Sequence, residues 1–403
     1  MPASKSLANR ELILSALASG RSEIDLGPLD PGDDVRAMHE AVAALGARVD
    51  GSPAGVLRIT PAEAPAEASV NAGEAGTVAR FATALAAVRM TRTTIDGGER
   101  LRRRPLAPLV RALCELGASI EGEALPLTVS RPLRGGRVEI PGHESSQFAS
   151  ALLLVSACAP EGIEVRLSGS VVSAPFVEMT IAALAGRGVN VERLERPNSF
   201  RVRPQRVRPR RVAVPGDATA ASYAGAAAAL LGGSVTIDNV DPTRRPGAQG
   251  DIRFFEVLER MGCQVSRLLG GIGVRRTGAL YGLRENVRDI SDTFPTLAMV
   301  AACAQGRSEI LGIGHTRAQE SDRVAAVAAG LRTLGGSVTE FADGLAIDPV
   351  PLHGGVVDAA GDHRIAMAFS ILGLVVPGVA VDGWEAVSKT FPGFYDMVKE
   401  LGH

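Results

Sequence analysis

Several residue types are scarce in this chain, and each scarcity excludes something. Aromatic residues make up 4% of the 403 positions, with one Trp and three Tyr. Cysteine occurs four times, at Cys114, Cys158, Cys263 and Cys303. These positions lie far apart with no CxxC pair, so neither a zinc site nor a disulfide framework is encoded. All four are expected to be reduced core thiols of a cytosolic protein. The net charge of -1 gives the chain as a whole no affinity for nucleic acid or an anionic membrane. No apolar run reaches the roughly 20 residues a membrane span needs. The N-terminus passes straight into a charged helix, which is not the pattern of a signal peptide. A P-loop, a GxGxxG with an acidic ribose ligand and zinc-ligand spacings are all missing. Lysine is rarest of all in proportion. Only Lys5, Lys389 and Lys399 occur among 43 basic residues. A chain that writes Arg almost everywhere reserves Lys for places that want a compact ammonium able to shift its pKa.

What is abundant is small apolar residues. Apolar types make up 46% and glycine occurs 46 times. This is ample for large cores built on close helix contacts, and the length allows two or three domains. The stretch Lys5-Ser6-Leu7-Ala8-Asn9-Arg10 places cations and small polar groups just before an apolar run. Taken alone, it reads as a helix with Ser6 as N-cap and Gly20 as stop.

Repetition changes that reading. Starts of the same kind recur at Ser6, Thr77, Ser146, Thr219, Thr293 and His363, spaced 71, 69, 73, 74 and 70 residues apart. A second series, an amphipathic helix ending in Gly before a strand, runs through Gly46, Gly117, Gly188, Gly262 and Gly335 at spacings of 71, 71, 74 and 73. A fixed period of this kind means copies of one supersecondary unit, here six. Each unit reads helix, strand, helix, strand, strand. In the first unit these are the helix 6–19, the strand SEIDL, the helix 33–45 and the strands ARVD and VLRIT. The segment PQRVRPRRV (204–212) interrupts the pattern between the third and fourth copies and is expected to be a solvated connector. A division follows, with residues 1–208 as a first lobe of three repeats and residues 209–403 as a second. The second series would end at Gly402, and the strand pair due after it is missing. A circularly closed design would supply that pair from upstream of Lys5, where only Met1 to Ser4 stand, so either the start is truncated or the sixth unit is pared down.

The starts carry Lys5, Ser6 and Arg10; Glu74, Gly76, Thr77 and Arg80; Ser145, Ser146 and Gln147; Asp217 and Ser222; Asp292; and Asp362, His363 and Arg364. Loops between them add Arg100 to Arg104, Ser173, Arg317, Gln319, Glu320, Asp322, Arg323 and Lys389. Cations neutralise phosphate or carboxylate, and hydroxyls and helix N–H groups orient it. Carboxylates embedded among cations serve as acid or base. If the six helix N-termini face one gap between lobes, that gap is an anion site by dipole alone. The set therefore predicts metal-free, cofactor-free chemistry on anionic small molecules. Asp217, Ser222 and Tyr223 read as cap and packing residues, and His39 and His353 as surface histidines.

Eleven blocks then make a more specific pattern. They are PASKSLANR (2–10), EAGTVARF (74–81), GERLRRRPLAPLV (98–110), SSQFASALLL (145–154), VSAPFVEMT (172–180), GDATAASY (216–223), QGD (249–251), DTFPTLAMVA (292–301), TRAQESDRV (316–324), GDHRIAMAFS (361–370) and SKTFPGF (388–394). In content and order they resemble the enolpyruvyl (carboxyvinyl) transferases over nearly the whole chain. The branch acting on UDP-N-acetylglucosamine carries a Cys in the loop where Gly97-Gly98 is followed here by Glu99, so the resemblance is to the shikimate 3-phosphate branch.

That resemblance implies an α/β (α+β) fold of two similar lobes, each with three βαβαββ repeats around buried parallel helices, an inside-out barrel. It implies transfer of the enolpyruvyl group of phosphoenolpyruvate to a hydroxyl of shikimate 3-phosphate through a tetrahedral intermediate. By motif match, Lys5, Gly76, Thr77, Arg104, Gln147, Arg323, Arg364 and Lys389 would hold phosphoenolpyruvate. Ser6, Arg10, Ser145, Ser146, Gln147, Ser173, Asp292, His315 and Gln319 would line the acceptor. Asp292 would be the base for the acceptor hydroxyl, and Glu320 with Lys5 would handle the methylene proton. Gly76 keeps room beside the donor, so glyphosate is expected to compete. The partners are these small molecules alone, with no nucleic acid or membrane, and a cytoplasmic monomer is expected. The sequence departs from the family at Glu74 (an Asn elsewhere), Phe176 (a Tyr), Gln319 (a Lys) and Ser291 (a Pro). Phe176, His315 and Gln319 motivate a second reading, transfer to a different hydroxylated anion. The missing last strands motivate a third, a non-catalytic anion-binding relative.

Overall fold

The computed structural model describes residues 1–401. Gly402 and His403, where the glycine series and the chain end, lie outside the described residues. The chain separates into two compact units, Ala3–Val214, and Met1–Pro2 together with the residues from Pro215 on.

The N-terminal unit is organised by three central helices, Lys5–Leu17, Gly76–Ala86 and Ser146–Ser156, which pack on one another. Their residues are buried on nearly every face, as expected of helices apolar all round. The helices Asp33–Ala44, Ala107–Glu115 and Ala174–Ala185 pack around them. Three four-stranded sheets cover the outside. One pattern recurs in all three. An edge strand lies parallel to the strand that follows the central helix, and two antiparallel strands complete the sheet; the edge strand precedes the central helix in the second and third sheets, while Arg211–Ala213 takes its place in the first. In the second repeat the order is Glu67–Asn71, Arg92–Asp96, Leu127–Arg131 and Ser119–Glu121.

The C-terminal unit repeats the plan with central helices Ala218–Leu231, Phe294–Ala302 and His363–Leu372. Among the described residues its sheets have three, four and two strands, the last being Gly355–Asp358 beside Val379–Asp382. Among the described residues no helix is long and apolar enough to cross a membrane.

Four of the sequence expectations need correction. The first central helix begins at Lys5, with Ser4 as N-cap, so Ser6 lies inside the first turn instead of capping it. The helix opens with Ala8 N–H on the Ser4 carbonyl, 2.8 Å away. Among the described residues, five of the six central helices have a strand ahead of them that the sequence expectation left out, such as Gly136–Pro141 before Ser146–Ser156, and Lys5–Leu17 is the exception. The segment 204–212 is not a loose connector. Val207 is buried, its carbonyl accepts from Ser19 N–H at 2.8 Å, and Arg211–Ala213 pairs in parallel with Ser22–Asp25. The arginines still reach solvent, which is why composition alone suggested a solvated linker. Of the four cysteines, all free, only Cys263 is buried. Cys303 caps the end of Phe294–Ala302, where the helix reaches the surface.

Candidate functional site

In the N-terminal unit Lys5 stands in the first turn of its helix. Its Nζ is 2.7 Å from Asp34 Oδ2, with both side chains largely buried. Asp34 belongs to the first turn of Asp33–Ala44, where a carboxylate also complements the helix dipole. Arg10, one turn further along, points inward and is 2% exposed. Its Nε donates to Thr180 Oγ1 at 2.8 Å, Nη1 to the Ser6 carbonyl at 2.7 Å, and Nη2 to Ser150 Oγ at 3.1 Å and the Phe176 carbonyl at 2.9 Å. The rings of Phe81 and Phe176 lie 5.4 and 5.9 Å from the guanidinium carbon. With no carboxylate among these partners, burial pulls the Arg10 pKa down to about 9. Phe176, which replaces a family Tyr, thus serves as a wall for Arg10.

A second group forms around Gly76. Arg80 Nη1 donates to Gln147 Oε1 at 3.1 Å, and its Nη2 to the Pro105 carbonyl at 2.7 Å. A Cβ on Gly76 would come within 2.4 Å of Arg80 Nη1 and 2.7 Å of Arg104 Nη1. Gly76, Arg80, Arg104 and Gln147 therefore converge at one place. Ser145 caps the third central helix, its Oγ accepting from Gln147 N–H at 3.2 Å, with Ser146 buried beside it. Thr77 stands half-buried in the first turn of its helix. Ser173, before Ala174–Ala185, is held at φ 50° and ψ 42°, a left-handed conformation that costs a non-glycine residue about 1–3 kcal/mol. Glu74 accepts from Leu101 N–H at 3.0 Å and so braces the Arg-rich loop.

The C-terminal unit holds the densest charge cluster. Arg323, 1% exposed, donates from Nε to Asp362 Oδ2 at 2.7 Å, from Nη1 to Asp292 Oδ1 at 3.0 Å, and from Nη2 to Glu320 Oε2 at 2.8 Å. Gln319 Oε1 also accepts from its Nη1. Arg364 Nη2 takes the other Asp292 oxygen at 2.6 Å. Burial opposes the charge on Arg323, but Asp362, Glu320 and Asp292 outweigh it and hold the pKa above the ordinary value. Arg364 is raised in the same way, with Asp292 the largest force against burial. Asp362 caps the sixth central helix through Arg364 N–H at 2.9 Å while it anchors Arg323. His315 Nε2 lies 2.9 Å from Ser291 Oγ, and burial lowers its pKa, favouring the neutral imidazole. Lys389 ends the short helix Trp384–Lys389 and is 8% exposed. Asp251 is buried with Thr219 donating to its Oδ2, and burial together with the Asp292 charge pushes it up to about 7. Among the described residues no group of His, Cys, Asp and Glu is arranged to hold a metal ion.

Each unit thus gathers its own part of the expected set. Lys5, Gly76, Arg104 and Gln147 stand in one unit, and Asp292, Gln319, Glu320, Arg323 and Arg364 in the other. Sequence reasoning left Asp34 and Asp251 out of the site. No spacing connects Lys5 to a residue 29 positions away, and Asp34 looked like one more acid in a polar turn. Asp217 caps the helix Ala218–Leu231, and Tyr223 packs edge-on against Phe394.

The family model described as EPSP synthase (3-phosphoshikimate 1-carboxyvinyltransferase) matches residues 1–398. A 3-phosphoshikimate 1-carboxyvinyltransferase of Thermococcus kodakarensis is 42% identical, the match covering 99% of this chain and 96% of that protein. One from Methanosphaerula palustris is 39% identical over 100% of this chain and 96% of its own length. Among solved structures, an EPSP synthase from Acinetobacter baumannii superposes with a TM-score of 0.82 at 26% identity, covering 100% of this chain and 94% of its own. The enolpyruvyl transferase NikO from Streptomyces tendae shares the fold at a TM-score of 0.75 and 17% identity, covering 100% of this chain and 94% of its own.

Proposed function

The chain belongs to the EPSP synthase (3-phosphoshikimate 1-carboxyvinyltransferase) family, and from that premise we propose that it moves the enolpyruvyl group of phosphoenolpyruvate onto a hydroxyl of shikimate 3-phosphate. The observation that carries the reading is the cluster around Asp292, where two buried guanidiniums converge on one carboxylate and Glu320 shares one of them. A carboxylate in a cationic pocket can take a proton from a hydroxyl, and the guanidiniums can hold the carboxylate of an anionic donor.

The chemistry proceeds in two balanced steps. Asp292 accepts the proton of the acceptor hydroxyl as its oxygen bonds to C2 of phosphoenolpyruvate. C3 gains a proton, delivered by Glu320 with Lys5, and the tetrahedral adduct forms. C3 then returns a proton to Glu320, the bond from C2 to the phosphate oxygen breaks, and the leaving oxygen takes up the proton held by Asp292, so that inorganic phosphate departs and both carboxylates are restored. Lys5, Gly76, Thr77, Arg104, Gln147, Arg323, Arg364 and Lys389 bind the donor. Ser6, Ser145, Ser146, Gln147, Ser173 and His315 bind the acceptor, with Arg10 held behind them as a rigid support. Glyphosate competes with phosphoenolpyruvate. The protein acts as a cytosolic monomer, which a single size-exclusion peak at the mass of one chain would bear out and a dimer peak would refute.

The test is phosphate release from phosphoenolpyruvate with shikimate 3-phosphate, run beside Asp292→Ala. Turnover that the variant loses supports the reading. Tight phosphoenolpyruvate binding without turnover would mean a different hydroxylated anion is the acceptor, and absence of both would refute the donor assignment.

A further inference from the structure

Family resemblance puts Gln319 with the acceptor, at a position where a Lys is usual. Its contacts lie elsewhere. A guanidinium has five N–H donors, and every one on Arg323 meets an acceptor from its own unit. Nε is on Asp362, Nη1 on Asp292 and Gln319, and Nη2 on Glu320 and Asp362. Three of the four partners are carboxylates, and Gln319 is the neutral one. An arriving anion must therefore displace something. The carboxylates hold the guanidinium as opposite charges, whereas the amide oxygen offers it only a dipole, so the amide is the partner surrendered at least cost.

We infer that Gln319 is a positioning residue on the donor side, whose amide oxygen holds Nη1 of Arg323 until the donor carboxylate replaces it. The inference rests on the assignment of phosphoenolpyruvate to Arg323. In this arrangement Gln319 sets donor affinity by competition. Its amide keeps the guanidinium oriented, and each binding event has to break that contact. A Lys at this place would offer no acceptor and would repel Arg323, so the residue type is matched to this contact.

The sign of the effect separates this role from a merely structural one. Loss of a supporting contact loosens Arg323 and weakens donor binding. Loss of a competitor strengthens it. The experiment is calorimetric titration of the full chain with phosphoenolpyruvate, for wild type, Gln319→Ala, Gln319→Asn and Gln319→Glu, followed by the KM of each substrate. Ala removes the amide, and Asn shortens it by one methylene so that it no longer reaches. Both are expected to bind phosphoenolpyruvate about two- to tenfold more tightly, with the KM for shikimate 3-phosphate unchanged. Glu competes as a charge and is expected to weaken donor binding about tenfold. Weaker donor binding in both neutral variants, or a raised acceptor KM with donor binding unchanged, would overturn the inference. A wild-type chain that binds no phosphoenolpyruvate at all would overturn the donor assignment itself, an outcome distinct from either.

Discussion

Replacing Gly76 by Ala should damage donor binding specifically, and the size of the effect follows from three distances. The new Cβ would lie 2.4 Å from Arg80 Nη1, 2.7 Å from Arg104 Nη1 and 2.9 Å from Arg104 Cζ, where ordinary contact begins at 3.4 Å. Arg80 is pinned by Gln147 and by the Pro105 carbonyl, so it yields only by breaking those bonds. Arg104 has to retreat by about 0.7 Å, close to the misplacement of about 1 Å that can cost about two orders of magnitude where a reacting group is concerned. Arg104 is proposed to grip a non-reacting part of the donor, so the expected loss is that of a charge-assisted hydrogen bond, about 1.5–3 kcal/mol. This corresponds to about a 10- to 150-fold rise in the KM for phosphoenolpyruvate, with kcat much less affected. Initial rates of phosphate release against phosphoenolpyruvate, at saturating shikimate 3-phosphate, measure it. Gly278→Ala is the control, since a Cβ there meets nothing within 4 Å. An unchanged donor KM in a folded Gly76→Ala protein would refute the steric argument.

Glyphosate, which is proposed to share the donor's guanidiniums, should lose potency in the same Gly76→Ala variant. A competition assay with unchanged inhibition would separate the two sites. The buried pair of Arg187 and Glu11, with Nη2 to Oε2 at 2.6 Å, should show strong coupling. Arg187→Met alone leaves a buried carboxylate with only Arg210, 3.7 Å away, to balance it and is expected to cost up to about 3–5 kcal/mol, while Arg187→Met with Glu11→Leu should cost less than the sum of the single changes. Urea unfolding reads this, and strict additivity would count against the coupling. Asp251, pushed up to about 7, keeps a proton in the folded chain that the unfolded chain has already released. Stability from this group is therefore full below about pH 4 and declines as the pH rises towards 7. Asp251→Asn should raise the melting temperature at pH 8 more than at pH 5, and an equal shift at both would sink the assignment.

The six central helices were legible because their period is long-range and their composition is uniform. Helix starts expected at Thr77, Ser146, Thr219, Thr293 and His363 fall within one residue of the observed ones. The leading strands were not legible. Glu67–Asn71 and Arg211–Ala213 are short and half-exposed, and their hydrogen-bond partners lie far along the chain, so little local patterning marks them. The candidate site was legible where a motif puts unusual residues at a helix start, as at Lys5, Asp292 and Arg364. It was hidden where a side chain's partner lies far along the sequence, on another helix of the same repeat or in the next repeat. Nothing local ties Asp34 to Lys5 or Asp362 to Arg323. Arg10 reads from sequence as an open cation, yet its position on the helix turns it into the interior.

The parallel pairing of Ser22–Asp25 with Arg211–Ala213 has a consequence for synthesis on the ribosome. The flanking contact of Arg210 N–H with Ser22 Oγ spans 188 residues. At about 5–20 residues per second, the first sheet waits roughly 10–40 seconds for the strand that closes it. Throughout that interval the emerging polypeptide presents an uncovered backbone edge, the kind of surface on which chains join one another. The closing strand is thus a late clasp, and nascent chains that stop short of Arg211 are the ones that should need chaperone cover. Expressed fragments ending just before and just after that strand would differ in solubility if the clasp works this way, and equal solubility would show that the sheet tolerates its open edge.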